Sequence, residues 1–223
     1  EYKGADGSWK KFSPRAQVRL DGTGDDEAAY YEYQPWKAVW EHLPEAMPGS
    51  DLSQDGKTQY RVTETLAGYV QQGAEIGTGQ DGHLSYTFTN VEATSLQVEK
   101  RWYGVPGGEQ LPVVVGLYRT LDGNPEGGNQ EPVLDSSGQQ MKCTLNSNNQ
   151  WQGSFANLPK YDDQGREYFY FARELTIGGK PAEQASLFIY HTDEKGEHGY
   201  STLIRNVEQI DITGTKTWKD NGD

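Results

Sequence analysis

A lysine stands where a strand should be apolar. Residues 96–102, Leu96-Gln97-Val98-Glu99-Lys100-Arg101-Trp102, alternate with the period of two that marks a half-buried strand, and Leu96, Val98 and Trp102 share one face with Lys100. A cation on a core face is costly to bury unless it is paired or neutralised. Lys100 therefore either snorkels to a sheet edge, or pairs or reacts with a group inside. The same Lys-x-Trp pattern returns in residues 212–218, Ile212-Thr213-Gly214-Thr215-Lys216-Thr217-Trp218.

That recurrence organises the chain, whose 223 residues suffice for two domains of roughly 100 residues each. In the second copy, residues 94–207, Lys100 is followed by Pro112 and an apolar strand from Val113 to Arg119. Trp151 to Pro159 comes next, then Tyr168 to Glu174, then Tyr200 to Asn206. The first copy, residues 1–93, shows the same order. Ala16 to Leu20 reads as a strand behind Pro14, Ala38 to Pro44 as one ending in Leu-Pro, and Tyr60 to Glu64 and Leu84 to Asn90 as two more. Leu-Pro to Glu spans 20 residues in one copy (44 to 64) and 15 in the other (159 to 174); Glu to Asn spans 26 (64 to 90) and 32 (174 to 206). Short alternating strands with turn signals every eight to twelve residues predict an all-β chain of tandem Ig-like β-sandwiches.

Composition narrows the function classes. The 27 glycines, 14 tyrosines and 6 tryptophans suit tight turns and aromatic cores rather than disorder. A net charge of −13 argues against nucleic acid as a partner. A single cysteine, Cys143, excludes an internal disulfide framework. No apolar run approaches the ~20 residues that span a bilayer, and no leader peptide is evident. Both ends fall in mid-element, so the sequence reads as a fragment of a longer protein.

In both copies the shared order resembles the Cna B-type domain of Gram-positive surface adhesins and pilins, a prealbumin-like sandwich. The matching residues in the second copy are Lys100-Arg101-Trp102, Pro112 to Arg119, Phe155 to Asp162, Tyr170 to Glu174 and Ile204-Arg205-Asn206. In the first they are Trp40 to Pro44, Tyr60 to Glu64 with Gly68-Tyr69, and Phe88-Thr89-Asn90. The resemblance implies a spontaneous isopeptide bond between a first-strand lysine and a last-strand asparagine, aided by a buried glutamate: Lys100, Asn206 and Glu174. The chemistry suits these types, since an apolar core lowers a lysine's pKa and raises a glutamic acid's. The alternative is a buried ion pair of Lys100 and Glu174 beside a hydrogen-bonded Asn206. The implied role is a stalk or pilus-shaft segment on the cell surface, with neighbouring repeats as partners and no turnover chemistry, cofactor, metal or membrane insertion. The rival role is an adhesin module that itself binds a host matrix protein or glycan.

The first copy departs from this pattern. Glu64 and Asn90 are present, but no Lys-x-Trp strand precedes them; Lys3 lies among Gly4, Asp6 and Gly7. Residues 208–223 look like the first strand of a further repeat. Either this tail hangs free, or it completes the first copy of a neighbouring molecule by strand exchange, placing Lys216 beside Asn90 and Glu64, with or without a covalent link.

Other candidates are weaker. His191 to Glu194 with Glu197 and His198 reads as a solvated hairpin loop rather than a metal site, and His42 and His83 are isolated. Asp25-Asp26-Glu27 and Asp162-Asp163 lack calcium-loop spacing. Tyr30 to Tyr33 with Trp36 is either a ligand-facing loop or a strand packed on its sheet. Cys143 reads as an inert buried thiol.

Overall fold

The computed structural model describes residues 1–12, 33–34, 37–40, 43–78 and 84–218. Ala16 to Leu20, Asp25 to Glu27, Tyr30, Tyr31, Trp36, His42 and His83 lie outside them. The chain forms two compact units, Glu1–Thr65 and Leu66–Asp223.

In the first unit β1 (Tyr2–Lys3) pairs antiparallel with β2 (Trp9–Lys10), and β3 (Tyr33–Gln34) with β4 (Lys37–Ala38). Single bridges join Tyr2 to Tyr60, Gly4 to Ser50 and Leu52 to Thr58. The strand expected over Tyr60 to Glu64 contracts to that one bridge at Tyr60. A strand exists only where a ladder partner takes its backbone groups, and here the pairing consists of the bridge's own two bonds, from Arg61 N–H to the Glu1 carbonyl and from Lys3 N–H to the Gln59 carbonyl (both 3.0 Å). The Arg61 guanidinium caps the Trp9 ring at 4.4 Å and pairs with the Glu1 carboxylate at 2.6 Å.

The second unit is the sandwich. Its strands are β5 (Tyr69–Thr78), β6 (Leu84–Tyr103), β7 (Val113–Thr120), β8 (Glu131–Pro132), β9 (Lys142–Leu145), β10 (Gln152–Pro159), β11 (Phe169–Ile177), β12 (Lys180–Pro181), β13 (Leu187–Gly196) and β14 (Gly199–Glu208). One sheet has the order β10-β6-β14-β13, with β5 on the N-terminal half of β6; the other has the order β12-β11-β7-β8, with β9 also on β7. Residues 84–90 and 96–102, read as strands of different copies, are one continuous strand of 20 residues.

The alternation in the sequence becomes the core. Leu96 and Val98 of β6, Phe155 and Leu158 of β10 and Ile204 of β14 meet Val113, Val115 and Leu117 of β7, Leu145 of β9 and Tyr170 and Ala172 of β11, all essentially dry. Tyr170 keeps its hydroxyl satisfied by donating to the carbonyl of Pro159 at 2.6 Å, as a buried tyrosine must. The β11–β12 hairpin turns on Gly178 and Gly179, both at positive φ (57° and 81°), the double left-handed step of a two-residue hairpin loop.

β14 runs antiparallel to β13 but parallel to β6, with Tyr200 opposite Leu96, Ile204 opposite Lys100 and Asn206 opposite Trp102. The C-terminal half of β6 and the last strand, β14, are therefore neighbours.

Candidate functional site

Three strands bring Lys100, Glu174 and Asn206 together in the apolar interior. Lys100 continues the inward face of Leu96 and Val98 on β6, Asn206 that of Thr202 and Ile204 on β14, and Glu174 that of Tyr170 and Ala172 on β11. Ladder pairing of β11 with β7 slips between Glu174 and Thr176, a bulge of the kind that re-aims a side chain. The Lys100 N–H donates to the Trp151 carbonyl at 2.8 Å. Trp151 follows Gln150, and both have positive φ (61° and 56°). The Trp151 ring meets Trp102 edge-on at 5.4 Å.

Lys100 Nζ lies 3.7 Å from Glu174 Oε1, with the two side chains 0% and 1% exposed. Asn206 Nδ2 donates to the same Glu174 Oε1 at 3.2 Å, and Asn206 is 0% exposed. Lys100 Nζ also donates to the Arg101 carbonyl at 3.1 Å and sits 4.0 Å above the Trp102 ring. Two buried oxygens lack any hydrogen-bond partner among the described residues, Glu174 Oε2 and Asn206 Oδ1. An ionised carboxylate leaves both acceptors without a donor, whereas a proton on Glu174 Oε2 supplies one.

Burial shifts both groups toward their neutral forms. Burial pushes the Lys100 amine down to about 8, against the opposing attraction of Glu174. Burial likewise pushes the Glu174 carboxyl above its ordinary value, against Lys100 and the Asn206 hydrogen bond. On both residues desolvation outweighs the partner's charge, so an uncharged amine beside a protonated acid is within reach. A neutral amine is a nucleophile, a carboxamide is an acyl group, and a protonated acid is the donor such a transfer needs.

The other predicted residues fall elsewhere. Glu64 is exposed on irregular backbone in the first unit, and Lys3 pairs with Asp51 at 2.9 Å there. Asn90 lies half-buried on β6, opposite Gln71. Lys216 is exposed, its Nζ 3.5 Å over the Trp218 ring, and among the described residues no strand pairs with 211–218. The Lys-over-Trp contact is thus local to the motif, and burial is what distinguishes Lys100.

Two features escaped the sequence reading. His191 is a half-buried residue inside β13, not a hairpin-loop residue; only Glu197 and His198 form the loop. Burial and the neighbouring Arg173 lower its pKa to about 4. Among the described residues no group of three metal-ligating side chains converges. Thr202 bridges the two sheets, accepting from Ala172 N–H (3.0 Å) and donating to Asp193 Oδ1 (2.6 Å), which itself lies beside the Arg173–Asp193 ion pair (2.8 Å). A threonine at an inward strand position was the only available signal. Cys143 is half-buried on β9, and burial pushes its thiol up to about 11, which makes it unreactive.

No curated protein matches the chain. Among solved structures, similar ones include the open conformation of the pilus adhesin SpaC of Lactobacillus rhamnosus GG, at 18% identity over 58% of this chain and 14% of that one, with a TM-score of 0.36. A single B repeat unit (B1) of the collagen-binding surface protein Cna of Staphylococcus aureus aligns at 18% identity over 74% of this chain and 71% of that one, with a TM-score of 0.35. The chain thus spans 14% of the first of these proteins. The Cna protein B-type domain profile matches residues 96–215, more than half of the chain and nearly all of the sandwich around Lys100, Glu174 and Asn206. The chain belongs to the Cna protein B-type domain family.

Proposed function

We propose that this chain is a stalk module of a bacterial cell-surface adhesin or pilus-like protein, and that its sandwich locks itself with an isopeptide bond between Lys100 and Asn206. The carrying observation is the convergence of a lysine, a glutamate and an asparagine from three strands in one dry spot, with Glu174 Oε1 within 3.2 Å of Asn206 Nδ2 and 3.7 Å of Lys100 Nζ.

The reaction follows from the residues. Neutral Lys100 Nζ attacks Cγ of Asn206, forming the new C–N bond. Protonated Glu174 stabilises the oxygen as it gains negative charge, and the amine proton passes by way of Glu174 to the departing nitrogen. The Cγ–Nδ2 bond breaks, ammonia leaves, and Glu174 ends as it began. Folding supplies the proximity that makes an otherwise inert carboxamide react. The event happens once per molecule, so this is self-modification rather than turnover.

The bond's value is mechanical. β6 and β14 are the first and last strands of the matched domain, and tension along the chain enters by one and leaves by the other. A covalent tie between them carries the load past every residue from 101 to 205. It also closes a loop of about 100 residues, which stabilises by about 4–5 kcal/mol if chain entropy acts as it does for a disulfide.

Intact mass of the purified chain is the test. The expected value is the sequence mass less one ammonia, with the Lys100 and Asn206 peptides joined after digestion, and the full mass restored by Lys100→Ala or Glu174→Ala. A parent protein at full sequence mass overturns the reading.

A further inference from the structure

Among the described residues, the buried side-chain atoms that lack a hydrogen-bond partner are Trp102 Nε1, Glu174 Oε2, His191 Nε2 and Asn206 Oδ1. Glu174 Oε2 belongs to the acid already assigned. Of the rest, Trp102 Nε1 can only donate and Asn206 Oδ1 can only accept. Their strands set them side by side. Trp102 of β6 stands directly opposite Asn206 of β14 in the parallel ladder, and neighbouring strands run about 4.8 Å apart. Both side chains take the inward face, Trp102 packing on the core cluster and Asn206 fully buried. His191 stands on the far side of β14, opposite Ile204 rather than Asn206.

The surroundings fix the indole. The Trp151 ring meets it edge-on at 5.4 Å, and Lys100 Nζ lies 4.0 Å over it. The nucleophile thus rests against the ring's negative face, while the N–H lies in the ring plane at its positive edge. Glu174 is engaged at the nitrogen end of the carboxamide, its Oε1 accepting from Asn206 Nδ2 at 3.2 Å. The oxygen is the end left without a partner. A buried donor and a buried acceptor, each costly to leave unmade, therefore share one rung of the ladder at the reacting carbon.

We propose that the Trp102 indole N–H is a second oxyanion donor in the joining of Lys100 to Asn206, a role that rests on the isopeptide reading above. As Nζ bonds to Cγ, the carbonyl π pair moves onto Oδ1 and the carbon becomes tetrahedral. The oxygen leaves the plane it held and gains negative charge. Protonated Glu174 gives it one hydrogen bond and Trp102 another, and no proton leaves the indole. The pair then returns to re-form the carbonyl as the Cγ–Nδ2 bond breaks. Ammonia departs with one of the two amine protons, and the other stays on the new amide. A donor unbonded to the ground-state oxygen and bonded to the oxyanion accelerates the step by the difference. Packing alone asks only for a ring at position 102; this role asks for its N–H.

Maturation kinetics of the full-length chain test it. The protein is made in a short pulse, and intact mass follows the loss of ammonia at a temperature where the parent's rate is resolved. Trp102→Phe keeps an aromatic face for Lys100 and removes the N–H, and is expected to slow the loss on the order of 100-fold. Phenylalanine fills less space, so a second variant carries benzothienylalanine at position 102, which keeps the indole's shape and exchanges only its N–H for sulfur. The same slowing is expected. If the benzothienylalanine protein matures at the parent's rate, the inference is overturned, whether Trp102→Phe is slow, which assigns the effect to packing, or fast. A parent that never loses ammonia removes the isopeptide reading and this role together. A parent that loses it at a rate indifferent to the N–H at position 102 removes only this role.

Discussion

Lys100 and Asn206 lie two rungs apart on parallel neighbouring strands, Lys100 opposite Ile204 and Asn206 opposite Trp102. Both side chains face the core, and Glu174 meets them from the opposing sheet. Because the offset is along parallel strands, tension on the two ends shears the pair, and only a covalent tie or the whole ladder resists it.

Replacing Glu174 by Gln keeps the shape and an amide donor while removing the proton that must be delivered. The variant is expected to keep its full mass and lose the cross-link's contribution of about 4–5 kcal/mol, a fall of roughly 10–20 °C in Tm for a unit of this size. Calorimetry beside intact mass reads both. A variant that still loses ammonia at the parent's rate removes Glu174 from the reaction.

His191 gives the fold an acid-sensitive point. Its pKa falls from 6.5 to about 4, first through burial, then through Arg173, with Asp193 and Glu126 opposing and Lys100 assisting. Between those values the unfolded chain binds the extra proton and the folded chain does not, so stability is complete above pH 6.5 and is lost as pH drops toward 4. Urea midpoints measured from pH 7 to 4 should decline more steeply in the parent than in His191→Phe. Parallel slopes would show that carboxylates alone govern the acid limb.

Thr202→Val preserves volume but strips Ala172 N–H of its acceptor and Asp193 of a donor at a dry inter-sheet position. Leaving such groups unpaired costs about 2–3 kcal/mol. Chemical denaturation of the variant, compared with Thr202→Ser, which keeps the hydroxyl, measures it. A Thr202→Val protein as stable as the parent would show that the hydroxyl's two bonds contribute nothing.

Gly199 opens β14 at φ 137°, and a Cβ there would stand 2.6 Å from the backbone oxygen of Ser95 on β6. Backbone cannot yield as a flexible side chain can. Gly199→Ala is expected to cost about 2–4 kcal/mol and to loosen the start of the parallel β6–β14 ladder, read as faster amide exchange at Tyr200 and Thr202. Unchanged exchange would show that the loop absorbs the added carbon.

Much of the sandwich was legible because its signals are local. The apolar alternation in 96–102, 113–119 and 200–206 specifies which side chains share a face, and those faces form the core. The lysine, glutamate and asparagine were recognisable from type and order. Their meeting was expected only through the family resemblance, because the residues' own patterns do not dictate that β14 takes β6 as its parallel neighbour or that a bulge follows Glu174. His191 was misplaced into a loop for a related reason: polar residues around a short hairpin look alike whether their strand ends early or late, and only pairing out to Gly196 opposite Gly199 decides it.

Residues 96–102 and 212–218 draw the line most clearly. The sequence by itself determined that both carry an apolar face, a lysine and a tryptophan at strand spacing. Tertiary structure alone decided that Lys100 is dry, with its pKa lowered to about 8, while Lys216 stays exposed. A strand's pattern is written in its own residues, but its backbone bonds and its burial belong to its neighbours.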